Sequence, residues 1–85
     1  MKSINVNLLQ INIAPNPSSQ NFSIQTLGLS QCELSIVDVL GREVYHSMLE
    51  ENSGGHTFGD AFSSGTYIAR IISDNNVYVV RIVKE

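Results

Sequence analysis

Residues 66–83 read TYIARIISDNNVYVVRIV, and the alternation in this stretch decides the fold. Tyr67, Ala69 and Ile71 fall on one side of an extended chain, and Ile68, Arg70 and Ile72 on the other. Successive side chains of a strand point to opposite faces, so a period of two is strand and not helix. Ser73-Asp74-Asn75-Asn76 interrupts the run with residues that tolerate the left-handed backbone region, which predicts a tight hairpin. Val77 to Val83 returns as a second strand. Both strands are apolar on both sides, more than one buried face requires. The hairpin is therefore either central in its sheet or leaves one face for a partner.

The same period extends upstream. Cys32 to Val39 places Cys32, Leu34 and Ile36 on one face. In Asp38-Val39-Leu40-Gly41, Asp stands at the first position of a type I turn and Gly at the fourth, where Gly41 can take the left-handed conformation of a hairpin bulge. The return strand is expected from Arg42 to Met48, with Val44 inward and Tyr45 on the opposite face. Asn21 to Thr26 forms a strand with Phe22 and Ile24 inward, and Leu27-Gly28-Leu29-Ser30 connects it onward. His56 to Asp60 reads as a short strand between the polar loop Glu50 to Gly55 and the corner Ala61 to Gly65. The run Ile4 to Ile13 changes face near Leu8-Leu9, which predicts a bulge or a break. Pro15 and Pro17 lack a donor N–H, so Ala14-Pro15-Asn16-Pro17 reads as a polyproline-like corner after an edge strand. Gly28, Gly41 and Gly65 stand where turns are needed.

About seven strands at short, regular spacing, with no helical window, describe an all-β sandwich or barrel. Two antiparallel sheets packed face to face would bury Phe22, Ile24, Leu34, Ile36, Val44, Phe62, Tyr67, Ile71, Val80 and Ile82.

Composition narrows the function. The 85 residues suit one domain, and the formal charge is −3 with no basic stripe to neutralise phosphates, so nucleic-acid binding has little support. The single cysteine, Cys32, has no internal disulfide partner and reads as a small buried hydrophobe. Residues 1–9 carry one base and no continuous apolar stretch, unlike a secretory signal peptide, and no segment has the length of a membrane-spanning helix.

No residue set points to chemistry. Asp38 is accounted for by its turn and Glu50-Glu51 by a solvated loop. His46, His56 and Cys32 lie on three separate strands without the spacing of metal ligands. No serine sits in a nucleophile elbow and no glycine loop cradles a phosphate. Catalytic, metal and cofactor sites are thus all expected to be absent. Tyr45 and Tyr78 could form an aromatic row on an exposed sheet that takes sugar, but ordinary strand packing accounts for alternating tyrosines.

Four segments, taken in order, resemble a known family. They are Ile13-Ala14-Pro15-Asn16-Pro17, then Leu34 to Val44 (LSIVDVLGREV), then Phe62 to Ile71 (FSSGTYIARI), then Val80-Arg81-Ile82-Val83-Lys84. Together they look like the C-terminal sorting domain of the type IX (Por) secretion system of Bacteroidetes. That family opens with a Pro-Asn-Pro corner, continues with a strand ending Asp-x-x-Gly-Lys/Arg, then Gly-x-Tyr, and closes on a basic strand. The chain departs from the pattern at Thr57-Phe58-Gly59, at Phe62-Ser63 and at Glu85.

The resemblance implies an Ig-like antiparallel β-sandwich over residues 10–85, with residues 1–9 a linker or first edge strand. It implies a non-catalytic sorting domain covalently preceded by a larger cargo. The partners would be the outer-membrane type IX translocon and a sortase-like protease. The protein would transit the periplasm and finish on the cell surface or secreted. Carried over by position, the recognition residues are Pro15, Asn16, Pro17, Asp38, Gly41, Arg42, Gly65, Tyr67, Arg81 and Lys84. Prolines and glycines are expected to hold corners and Tyr67 to pack, with Arg81 and Lys84 as free polar handles. The alternative is an Ig-like adhesion or carbohydrate-binding accessory module of a secreted protein, using Tyr45 and Tyr78.

Overall fold

The computed structural model describes residues 10–51, 54–73 and 76–85. The expected break at Leu8-Leu9, the linker at 1–9, and the hairpin residues Asp74 and Asn75 lie outside the described residues. Among those described, the strands are β1 (Gln10–Ala14), β2 (Phe22–Leu27), β3 (Cys32–Asp38), β4 (Glu43–Leu49), β5 (His56–Phe58), β6 (Gly65–Ser73) and β7 (Asn76–Lys84). They form two antiparallel sheets, one ordered β1-β2-β5 and the other β4-β3-β6-β7.

Alternation places the core between the sheets. Ile13, Phe22, Ile24 and Phe58 come from the first sheet. Cys32, Leu34, Ile36, Leu49, Tyr67, Ala69, Ile71 and Ile82 come from the second. Stacked rings tie the layers together: Phe58 lies 5.6 Å from Phe22 within its own sheet and 5.6 Å from Tyr45 of the other. Cys32 is buried in this core, and burial pushes its thiol pKa up. Tyr67, near the start of β6, donates its hydroxyl to the Ser63 carbonyl four residues upstream at 2.6 Å. A three-plus-four sandwich with such a tyrosine corner is immunoglobulin-like.

Two expectations are corrected. Val44 is not inward. The β3–β4 register shifts between Ile36, which faces Tyr45, and Val37, which faces Glu43, so Val44 is an extra residue. One inserted residue inverts the facing of every residue beyond it. Val44 is therefore 42% exposed, and Tyr45 turns inward against the core. The proline corner is not polyproline-like, because both the Ala14–Pro15 and Asn16–Pro17 bonds are cis. Of the two arrangements open to the hairpin of residues 66–83, a central place does not hold for it as a unit. β6 lies between β3 and β7, and β7 is the edge. Its inner side chains Tyr78, Val80 and Ile82 pack on the core, while Val77 and Val79 stand 56% and 61% exposed.

Candidate recognition surface

The β3–β4 turn forms as its four residues dictate. The Gly41 N–H donates to the Asp38 carbonyl at 2.9 Å, and Gly41 has φ of 84°, a region closed to most side-chain-bearing residues. The Asp38 carboxylate closes the loop from outside. Its Oδ1 accepts the N–H groups of Leu40 (2.9 Å) and Arg42 (3.0 Å), and its Oδ2 accepts Arg42 Nε at 2.9 Å. The turn thrusts Val39 and Leu40 outward, 78% and 75% exposed.

The backbone N–H of Arg42, more than any other contact, holds the Asp38 carboxyl below its ordinary pKa. A carboxylate depressed in the fold adds stability above its unfolded pKa and loses it as pH falls through the folded one. We therefore expect the melting-temperature gap between the wild-type chain and Asp38→Asn to be widest near neutral pH. It should close on acidification below the ordinary carboxylate range. A gap independent of pH in a series of thermal melts would contradict this assignment.

On the opposite edge of the same sheet, the proline corner lies along β7. Asn16 straddles the strand, with Nδ2 donating to the Arg81 carbonyl (2.9 Å) and Oδ1 accepting the Val83 N–H (3.0 Å). Ser18 continues the contact as a parallel bridge to Lys84. Its N–H donates to the Val83 carbonyl (3.0 Å), and its carbonyl accepts the Glu85 N–H (2.8 Å). Asn16 thus supplies through its side chain what a neighbouring strand would supply through its backbone.

Lys84 is the largest departure from expectation. It is 5% exposed, not a free handle. Its position on β7 points it inward, in step with Tyr78, Val80 and Ile82. Its Nζ donates to the carbonyls of Gln20, Gly59 (2.6 Å) and Asp60 (3.1 Å). One ammonium so joins β7 to the β1–β2 corner and to the β5–β6 loop. A buried charge is tolerated only with such partners. Arg81 is exposed, as expected, and among the described residues its guanidinium has no partner.

Between the turn and the β5–β6 loop lies a half-open groove of about 500 Å³, floored by Tyr45, Phe62 and Tyr67, with Asp38 and Arg42 on its rim. Gly59 shapes it from below with φ of 87°. A Cβ there would stand 2.9 Å from Phe22 Cδ2 and 3.3 Å from the Phe62 ring. The Gly59 carbonyl also accepts the Phe62 N–H at 3.1 Å besides Lys84 Nζ. Nothing in the sequence marks Gly59, because it lies beside a short strand, in no recognisable turn signature.

The sugar-binding row of Tyr45 and Tyr78 is not formed. The two rings sit on opposite edge strands, both half-buried against the core, and the Tyr45 hydroxyl is bonded to His56 Nε2 at 2.7 Å. The histidines are also apart, since His46 pairs with Glu33, which raises its pKa. No helix among the described residues is long and apolar enough to cross a membrane.

Residues 12–85 match the family described as secretion system C-terminal sorting domain, the type IX sorting family. This chain belongs to that family. The ulvan lyase NLR42 of Nonlabens ulvanivorans is similar to it, 30% identical over 77 residues. That alignment covers 89% of this chain and 14% of the lyase, so the likeness is confined to a small part of a larger enzyme.

Within the sorting domain, most of the positions carried over from the family motif gather at two places, the β3–β4 turn and strand β7. Asp38, Gly41 and Arg42 build the turn, with Tyr67 lining the groove beside them. Asn16, Arg81 and Lys84 meet at the β7 edge, where Asn16 holds the Arg81 carbonyl. Gly65 opens β6 with φ of 150° and nothing within 4 Å of where a Cβ would stand.

Proposed function

We propose that this sorting domain is carried at the end of a larger exported protein and is read by the outer-membrane type IX translocon through its β6–β7 hairpin. Family membership supports sorting as the role and export to the surface or medium as its result. The observation that carries the choice of hairpin is that β7 is an edge strand with an apolar outward face and an unengaged Arg81. In this reading residues 10–85 are the folded module and residues 1–9 the linker to the cargo. The cargo transits the periplasm, and a sortase-like protease removes the domain by cutting upstream of Pro15. Of the carried-over residues, Arg42 and Arg81 offer exposed charge to a receptor. Asn16, Tyr67 and Lys84 serve by holding the shape that is read.

The test is removal of Val77 to Glu85 from the full-length cargo in a host with a working type IX system. The truncated cargo should accumulate in the periplasm. Secretion at the wild-type level would overturn the proposal.

A further inference from the structure

The edge of β7 is divided. Arg81 accepts from Asn16, Val83 both donates to Asn16 and accepts from Ser18, and the Glu85 N–H donates to Ser18. Odd-numbered residues of β7 therefore turn their backbone groups away from β6. Backbone direction alternates along a strand, so the N–H and C=O of Val77 and Val79, with the Arg81 N–H, must face the same open edge. Among the described residues nothing bonds to them. The clasp of Asn16 and Ser18 thus covers only the lower half of the strand.

Natural sheets blunt such edges with Lys, Pro, bulges or a covering loop. The stretch Asn76 to Val80 has neither Lys nor Pro, and it pairs with β6 without a register shift. Its outward side chains Val77 and Val79 are exposed, opposite half-buried Ile72 and Arg70 of β6, and Arg81 lies opposite half-buried Ile68. Arg81 stands at the lower end of this open segment.

We infer that the upper half of β7, Val77 to Arg81, is a strand-addition site for a short extended segment of a receptor protein. The incoming segment pairs its backbone with Val77 and Val79 and lays apolar side chains beside theirs. It presents a carboxylate to Arg81 and stops or bends at Asn16, which already holds the Arg81 carbonyl. Main-chain pairing supplies affinity, and the valines and arginine supply selectivity. The inference rests on the sorting reading above and specifies the chemistry of the partner.

The decisive variant is Val79→Pro in the full-length cargo. Proline removes only the outward N–H, leaving the pairs of Tyr78 with Ile71 and of Val80 with Ala69. Val79→Lys keeps the backbone donor but puts a charge on the edge, and Val79→Thr keeps the β-branch. Export should fall about tenfold or more for Pro and Lys and stay at the wild-type level for Thr, with unaltered protease resistance of the domain in all three. If Val79→Pro fails to fold, Val79→Lys decides. Folded Pro and Lys variants that export normally overturn the inference; the sorting reading stands if removal of Val77 to Glu85 still blocks export and falls if it does not. Self-association of the wild-type protein, dispersed by Val79→Lys in sedimentation, also overturns it, because the edge then belongs to a second copy.

Discussion

Lys84→Met will unfold a large fraction of this domain at temperatures where the wild type is intact. Methionine replaces the aliphatic stem and keeps the inward packing, but it lacks the terminal ammonium and donates nothing. The carbonyls of Gln20 and Asp60 lose their Lys84 donor, and Gly59 keeps only Phe62. Desolvating the ammonium offsets part of what its bonds contribute in the wild type, yet stripping the donor from acceptors that are buried at Gly59 and part-buried at Gln20 and Asp60 costs more than an exchange in open water. Two to three charge-assisted bonds lost in this way amount to about 3–5 kcal/mol. A domain of 85 residues has roughly 4–13 kcal/mol in all. The melting temperature should fall by about 15–30 °C in calorimetry. Lys84→Arg should not rescue it, because a planar fork cannot converge on three carbonyls set around a point charge. A melting temperature within a few degrees of wild type for Lys84→Met would mean that the three carbonyls find other donors.

Gly59→Ala is the second large effect, and Gly41→Ala is its control. Both glycines have positive φ, 87° and 84°. Each alanine therefore carries the backbone cost of the left-handed region, about 1–2 kcal/mol. Only at Gly59 does the new methyl meet an obstacle, the fully buried ring of Phe22 at 2.9 Å, whereas at Gly41 nothing lies within 4 Å. Overpacking a filled core adds about 1–3 kcal/mol. Displacing residue 59 also turns its carbonyl away from Lys84. In chemical denaturation Gly59→Ala should lose roughly twice what Gly41→Ala loses. Adding Phe22→Leu to Gly59→Ala should recover part of the difference, since the two sites share one contact. Equal losses for the two alanines would show that the core yields freely at Phe22.

Much of the candidate surface was legible because it is local. The Asp38 to Gly41 turn closes within five residues, and every partner of the Asp38 side chain lies between Leu40 and Arg42. Strand period placed Phe22, Ile24, Leu34, Ile36, Tyr67, Ile71 and Ile82 in the core correctly. The features that were not legible are those that cross between elements. Val44 reads as inward if β4 pairs without interruption, and only the neighbouring strand reveals the inserted residue. Lys84 reads as solvated because lysines almost always are. Its acceptors lie 24, 25 and 64 residues away, and no local pattern announces them.

The alternation of the chain and its turn residues by themselves determined an all-β domain, the Asp38 to Gly41 turn and most of its core, because those depend on side-chain period and on residues within one turn of each other, while the likeness to sorting domains rested on four short motifs in order. Tertiary structure alone decided that β7 is an edge, that Asn16 covers half of it and that Lys84 is a buried tie. Each of those depends on which distant backbone groups are left without a partner once the two sheets close. Unpaired carbonyls and N–H groups belong to the assembled fold, and no single segment carries them.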